Sequence, residues 1–73
     1  MTKLPIVSGK EVVRVLTKNG FYIKRQKGSH IILRRNDPFS QVTVPNHPVL
    51  DRGTLRSILN QSGLTIDDFV NLL

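Results

Sequence analysis

Seventy-three residues make one small domain with a thin core, leaving no room for a second domain or a deep substrate cavity. Eleven Lys and Arg against five Asp and Glu give +6, with no cysteine, which excludes disulfide scaffolds, thiol nucleophiles and cysteine zinc sites. An apolar fraction of 38% excludes a disordered basic tail, and the charge favours a polyanionic partner: nucleic acid, an acidic protein or an anionic membrane face.

The chain, residues 1–73, reads as a single domain. Its start, Met1-Thr2-Lys3-Leu4-Pro5, lacks the apolar run of a signal peptide. The longest apolar runs are three residues, as in Ile31-Ile32-Leu33, so no membrane span is expected and the cytoplasm is the expected location.

Ser8-Gly9-Lys10-Glu11 is a capping box, Ser at the N-cap and Glu three residues on. Val12, Val13 and Leu16 follow at helical spacing, and Asn19-Gly20 is a stop, so a helix is predicted over about 9–19. Phe21 to Gln26 alternates as a strand, with Phe21 and Ile23 on one face and Tyr22 and Lys24 on the other. Lys27-Gly28 signals a tight turn, and His30 to Arg35 is a second strand, broken by Asn36-Asp37-Pro38. Gln41 to Val44 is a third strand, closed by Pro45 and Pro48. Asp51 caps a second helix over about 52–62, with Leu55, Ile58 and Leu59 as its apolar stripe and Gly63 as its stop. Thr65-Ile66-Asp67-Asp68 repeats the capping logic for a short third helix, with Ile66, Phe69, Val70 and Leu73 inward.

The predicted order is α-β-β-β-α-α. Short connections imply an antiparallel meander, with the helices packed on one face as an α+β layer and the other face wet. The middle strand allows two registers. Pointing Ile32 inward takes His30 and Arg34 with it, and burying an unpartnered Arg costs several kcal/mol. Pointing Ile31 and Leu33 inward turns one Ile outward, at about 2 kcal/mol. The second choice wins. It puts His30 on the open face and leaves Arg35 to reach round to water.

Lys24-Arg25-Gln26-Lys27-Gly28-Ser29-His30 is therefore the leading candidate site, with Arg34 further along the same strand. Cations fix phosphates, and an imidazole, with an ordinary pKa of about 6.5, exchanges protons at neutral pH. RNA supplies its own nucleophile, the 2′-OH, so a protein that removes that proton and steadies the phosphorane can cleave it without metal or cofactor. A basic hairpin with a surface His has the same spacing. His47, in Asn46-His47-Pro48, is a second imidazole that the strand order could bring near His30; the tripeptide is also an ordinary turn. Lys10, Arg14 and Lys18 stand at i, i+4 and i+8, a stripe that could track phosphates or simply be a solvated helix face. Arg52 and Arg56 make a similar pair on the second helix. Two His and five acids show no metal-ligand spacing, no Gly-rich phosphate loop is present, and Ser29 beside His30 is no hydrolase triad.

These residues resemble the HicA family of toxins, the small RNA-cleaving halves of type II toxin–antitoxin pairs. The resemblance is carried by Ser8-Gly9-Lys10-Glu11, Asn19-Gly20-Phe21 and Arg25-Gln26-Lys27-Gly28-Ser29-His30. It continues through Val42-Thr43-Val44-Pro45-Asn46-His47, Gly53-Thr54-Leu55-Arg56-Ser57-Ile58-Leu59 and Ser62-Gly63-Leu64-Thr65. It implies a fold similar to the double-stranded-RNA-binding domain. It also implies ribosome-independent mRNA cleavage by one catalytic His after Gly-Ser, here His30, with no cofactor, and a HicB-like antitoxin that covers the site. Lys24, Arg25, Lys27, Gly28, Ser29 and Arg34 are the expected RNA contacts, with Lys10 and His47 as secondary candidates. A non-catalytic RNA-binding module of the same fold and a protein-interaction module remain alternatives on the residues alone.

Overall fold

The computed structural model describes residues 3–73; Met1 and Thr2, at the head of the segment read above for a leader, lie outside the described residues. The elements run α1 (Gly9–Lys18), β1 (Tyr22–Lys27), β2 (His30–Asn36), β3 (Phe39–Pro45), α2 (Arg52–Ser62) and α3 (Ile66–Leu72). The strands form one antiparallel sheet in the order β1-β2-β3, and the helices lie on one of its faces. This is the α+β architecture of the double-stranded-RNA-binding domain. The accessible surface is 4671 Å². Among the described residues, no helix is long and apolar enough to cross a membrane.

The caps form as their residue types dictate. Ser8 Oγ accepts from the Glu11 N–H at 3.1 Å, and Glu11 Oε1 accepts from the Ser8 N–H at 3.0 Å. That backbone N–H holds the Glu11 carboxyl below its ordinary pKa. Asp51 Oδ1 accepts from the Thr54 N–H at 2.6 Å, which lowers the Asp51 pKa in the same way. Gly63 closes α2, its N–H donating to Leu59 O.

One core fills the space between sheet and helices. Val12, Val15 and Leu16 of α1, Leu55, Ile58 and Leu59 of α2, and Phe69 of α3 meet Ile31, Leu33, Val42 and Val44 of the sheet. The predicted register of β2 holds: Leu33 is fully buried and Ile31 nearly so, while Ile32 lies on the other face. Leu4 and Val7 add to the core from an extended N-terminal segment, tied to the start of α2 by Leu50 N–H donating to Val7 O at 2.9 Å.

Four details depart from the sequence reading. In α3 it is Leu72, three residues after Phe69, that packs on the core, while Leu73 is exposed. The turn between β2 and β3 is only Asp37-Pro38, joined by a cis peptide, and β3 starts at Phe39 rather than Gln41. Ser40 is drawn into the strand because its Oγ donates to Gln61 O at 2.6 Å. Arg35 is half-buried instead of reaching water: its guanidinium donates to Pro38 O and Ser62 O and lies 4.6 Å from the Phe21 ring centroid.

The fourth departure shapes the surface. β1 does not alternate through its length, because the pairing shifts between Ile23 and Arg25. Ile23 faces Leu33 and Arg25 faces Ile32, leaving Lys24 as the extra residue of a β-bulge. Strict alternation would put Arg25 and Lys27 on the helix side. The bulge resets the phase and turns both to the open face, while Gln26 pairs with Ile31. Ile23, paired with Leu33, keeps its predicted side but lies on the edge strand and stays 54% exposed.

Candidate nucleic-acid interface

The open face can be read row by row across the ladder. Lys27, His30 and Pro45 form the first row, Arg25, Ile32 and Thr43 the second, Tyr22, Arg34 and Gln41 the third, and Asn36 with Phe39 the last. Lys24 joins the middle rows from its bulge, lining a shallow cleft of about 130 Å³ with Arg25, Ile32, Arg34 and Gln41. None of these residues is acidic. The face concentrates four cations and an imidazole with no carboxylate among them.

His30 is the first residue of β2 and is exposed. Two devices place it there. Gly28 takes φ 60° at the first of two turn positions, a conformation that L side chains rarely adopt. The Asn46 N–H then donates to Ser29 O at 2.6 Å, so β3 grips the turn immediately before His30. Directly opposite His30 on β1 stands Lys27. Opposed residues of an antiparallel pair hold their Cβ atoms about 5 Å apart, so one phosphate can meet both side chains.

Arg34 is oriented rather than free. Its Nε and Nη2 donate to Gln41 Oε1 at 3.1 and 2.7 Å, and its guanidinium lies 5.6 Å from the Phe39 ring centroid. Gly28 and Ser29 form the turn itself, and Gln26 Nε2 donates to Gly28 O at 3.1 Å. Lys24, Arg25, Lys27, Gly28, Ser29, His30 and Arg34 are thus gathered on one face and its rim.

Lys10 and His47 are brought together elsewhere. They line a cleft of about 370 Å³ with Ser8, Asn46 and Pro48, between the start of α1 and the segment after β3. The Gly9 N–H donates to His47 O at 2.9 Å, which ties that segment to the helix. This cleft is larger than the one on the open face, but His30 does not line it. Each cleft lies by an exposed imidazole with a Lys near it, His30 opposite Lys27 on the open face and His47 with Lys10 here. Arg14 and Lys18 are exposed on α1, and the Lys18 Nζ donates to Leu72 O at 3.0 Å. Arg52 and Arg56 are exposed on α2.

Tyr22, Phe39 and Gln41 belong to the open face and went unnoticed as site residues in the sequence. Extending the Gln41–Thr43 alternation two residues back would have found Phe39. Among the described residues, no group of three His, Asp or Glu side chains is placed to hold a metal.

In comparison with known proteins, residues 9–64 match the family described as the HicA toxin of bacterial toxin–antitoxin systems. That span runs from the first turn of α1 to just beyond α2 and contains every residue of the open face. No curated protein matches the sequence.

Proposed function

The chain belongs to the HicA toxin family, and from that premise we propose that it is an endoribonuclease acting on messenger RNA, with His30 as its acid–base group. The family makes it the toxin of a toxin–antitoxin system and implies an antitoxin partner. The observation that carries the catalytic reading is an exposed His30 opposite Lys27 on a cationic face without carboxylates.

The reaction needs little from the protein. His30 takes the proton of a ribose 2′-OH, and the oxygen attacks the adjacent phosphorus. The bond from phosphorus to the 5′-oxygen breaks, that oxygen gains a proton, and the products are a 2′,3′-cyclic phosphate and a 5′-OH. Lys27 is placed to meet the charge that develops on the phosphate, and Lys24, Arg25 and Arg34 hold phosphates further along. The Gly28-Ser29 turn sets the height of the imidazole. Acid–base help of this kind is worth roughly 10²–10⁴-fold. A slow nuclease suffices for a toxin, since one cut disables a message. Lys10 and His47, in their separate cleft, are secondary contacts. Residues 1–73 act as one domain, and a HicB-like antitoxin covers the open face in the paired state.

His30→Ala tests the reading. The variant keeps the parental circular dichroism and thermal midpoint, because its side chain is exposed, but loses RNA cleavage and growth arrest. Cleavage at the parental rate would refute the assignment, and retarded but uncut RNA with the parent protein would support a binding module instead. The chemistry uses no metal, so activity abolished by EDTA and restored by magnesium would also count against it.

A further inference from the structure

The far end of the open face carries groups that the cleavage chemistry does not use. Phe39 is 67% exposed and Tyr22 is 41% exposed, both on the face that bears His30. Folding gains little from a Phe in that position, and Arg34 lies against one part of its surface only. Tyr22 Oη donates to Asn36 Oδ1 at 3.2 Å, which fixes its ring in the third row beside Arg34. The cleft lined by Lys24, Arg25, Ile32, Arg34 and Gln41 runs from the Tyr22 row toward the His30 row.

We propose that the open face binds single-stranded RNA, with bases stacked on Phe39 and Tyr22, phosphates crossing the Lys24–Arg25–Arg34 cleft, and the cut made at the His30 end. The position of the cut rests on the function proposed above; the binding mode does not.

Three observations favour this occupant. The rings face solvent on an open sheet face, where unstacked bases can lie on them; a duplex hides its base faces and is read through phosphates and 2′-hydroxyls. Lys24 and Arg25 lie between the rings and the His30 row, and Arg34 stands beside Tyr22, so a backbone joining the two ends passes over cations. The face has no carboxylate to repel it. From the His30 row to the Phe39 row is six residues of β2, about 20 Å at strand spacing, room for a short oligonucleotide. Similarity to the double-stranded-RNA-binding domain therefore describes the fold and not the substrate.

The test is fluorescence anisotropy of the full chain with a labelled RNA whose riboses are 2′-O-methylated, so that the strand stays uncut and the readout is binding alone. The single strand binds more tightly than the same sequence as a blunt duplex. Phe39→Ala weakens single-strand binding about five- to tenfold, the lower end for loss of one stacked base, without moving the thermal midpoint. Phe39→Trp restores binding and Phe39→Leu does not. Equal affinity for duplex and single strand, or no effect of Phe39→Ala, would overturn the proposal. So would Phe39→Ala weakening antitoxin capture while RNA binding stays at the parental level, because the rings would then serve a protein contact. An active His30→Ala variant would remove the catalytic assignment but leave these results standing.

Discussion

Gly9 offers a case where two physical effects predict opposite signs. As the first residue of α1, it would gain up to about 1 kcal/mol from replacement by Ala on helix propensity alone. The structure predicts a loss. A Cβ at position 9 would fall on the Pro45 carbonyl oxygen, with Pro45 C and Asn46 Cα each 3.1 Å away. All three are backbone atoms and cannot swing aside. Overpacking of this kind costs about 1–3 kcal/mol, and it endangers the Gly9 N–H to His47 O bond, worth about 0.5–1.5 kcal/mol more. After the propensity gain the net loss is about 1–3 kcal/mol, a large share of the roughly 4–11 kcal/mol that a chain of this length has. With a urea slope of about 1 kcal/mol per M, the midpoint falls by about 1–3 M. Urea unfolding followed by circular dichroism reads this directly. Gly28→Ala is the matched control: nothing lies within 4 Å of its added Cβ, so its cost, about 1–2 kcal/mol, comes from φ alone. Gly9→Ala should also loosen the Asn46–Ser29 junction before His30 and slow cleavage. A Gly9→Ala variant at or above the parental midpoint would refute the reasoning, because α1 could not then sit as tightly on the end of β3.

Other outcomes follow from the same geometry. Leu33→Ala, at a fully buried position, should cost about 2–5 kcal/mol in the same urea assay. Ser8→Ala should cost about 1 kcal/mol by removing the cap of α1. The Glu11 and Asp51 carboxyls titrate lower in the folded chain than in the unfolded one, so folding releases protons. Their contribution is complete above the ordinary values of 4.5 and 3.8 and is lost as pH falls through the lowered ones. Thermal melts from neutral pH downward should show that loss, and Glu11→Gln with Asp51→Asn should flatten it. If four cations of the open face each release a counterion, single-strand affinity should fall with salt at a log–log slope near −3, and each neutralised cation should reduce the slope by about 0.7.

Much of the fold was legible because its signals are local. Ser8 with Glu11, Asp51, Thr65 and the glycines mark helix ends by the hydrogen bonds they make, and these bonds formed. The β2 register was readable from energetics: an Arg is harder to bury than an Ile is to expose. The bulge at Lys24 was not legible, since Ile23-Lys24-Arg25 contains no glycine and the pairing shift depends on β2. That one residue decides that Arg25 and Lys27 share a face with His30. Leu4 and Val7 were missed because they lie in a segment without regular structure, which has neither a helical nor a strand period to mark its buried residues. Phe39 was read as loop because a proline preceded it, although the turn needs only Asp37 and Pro38.

The central claim is that His30 draws a proton from a ribose hydroxyl held against the cationic face. The most direct measurement is cleavage of an RNA in which only the nucleotide 5′ to the cut carries a 2′-deoxyribose, compared with the all-ribose strand. The deoxy strand should remain whole at that position, and the all-ribose strand should yield a 2′,3′-cyclic phosphate and a 5′-OH. Cutting of both strands at one rate, or a 5′-phosphate on the product, would contradict the account.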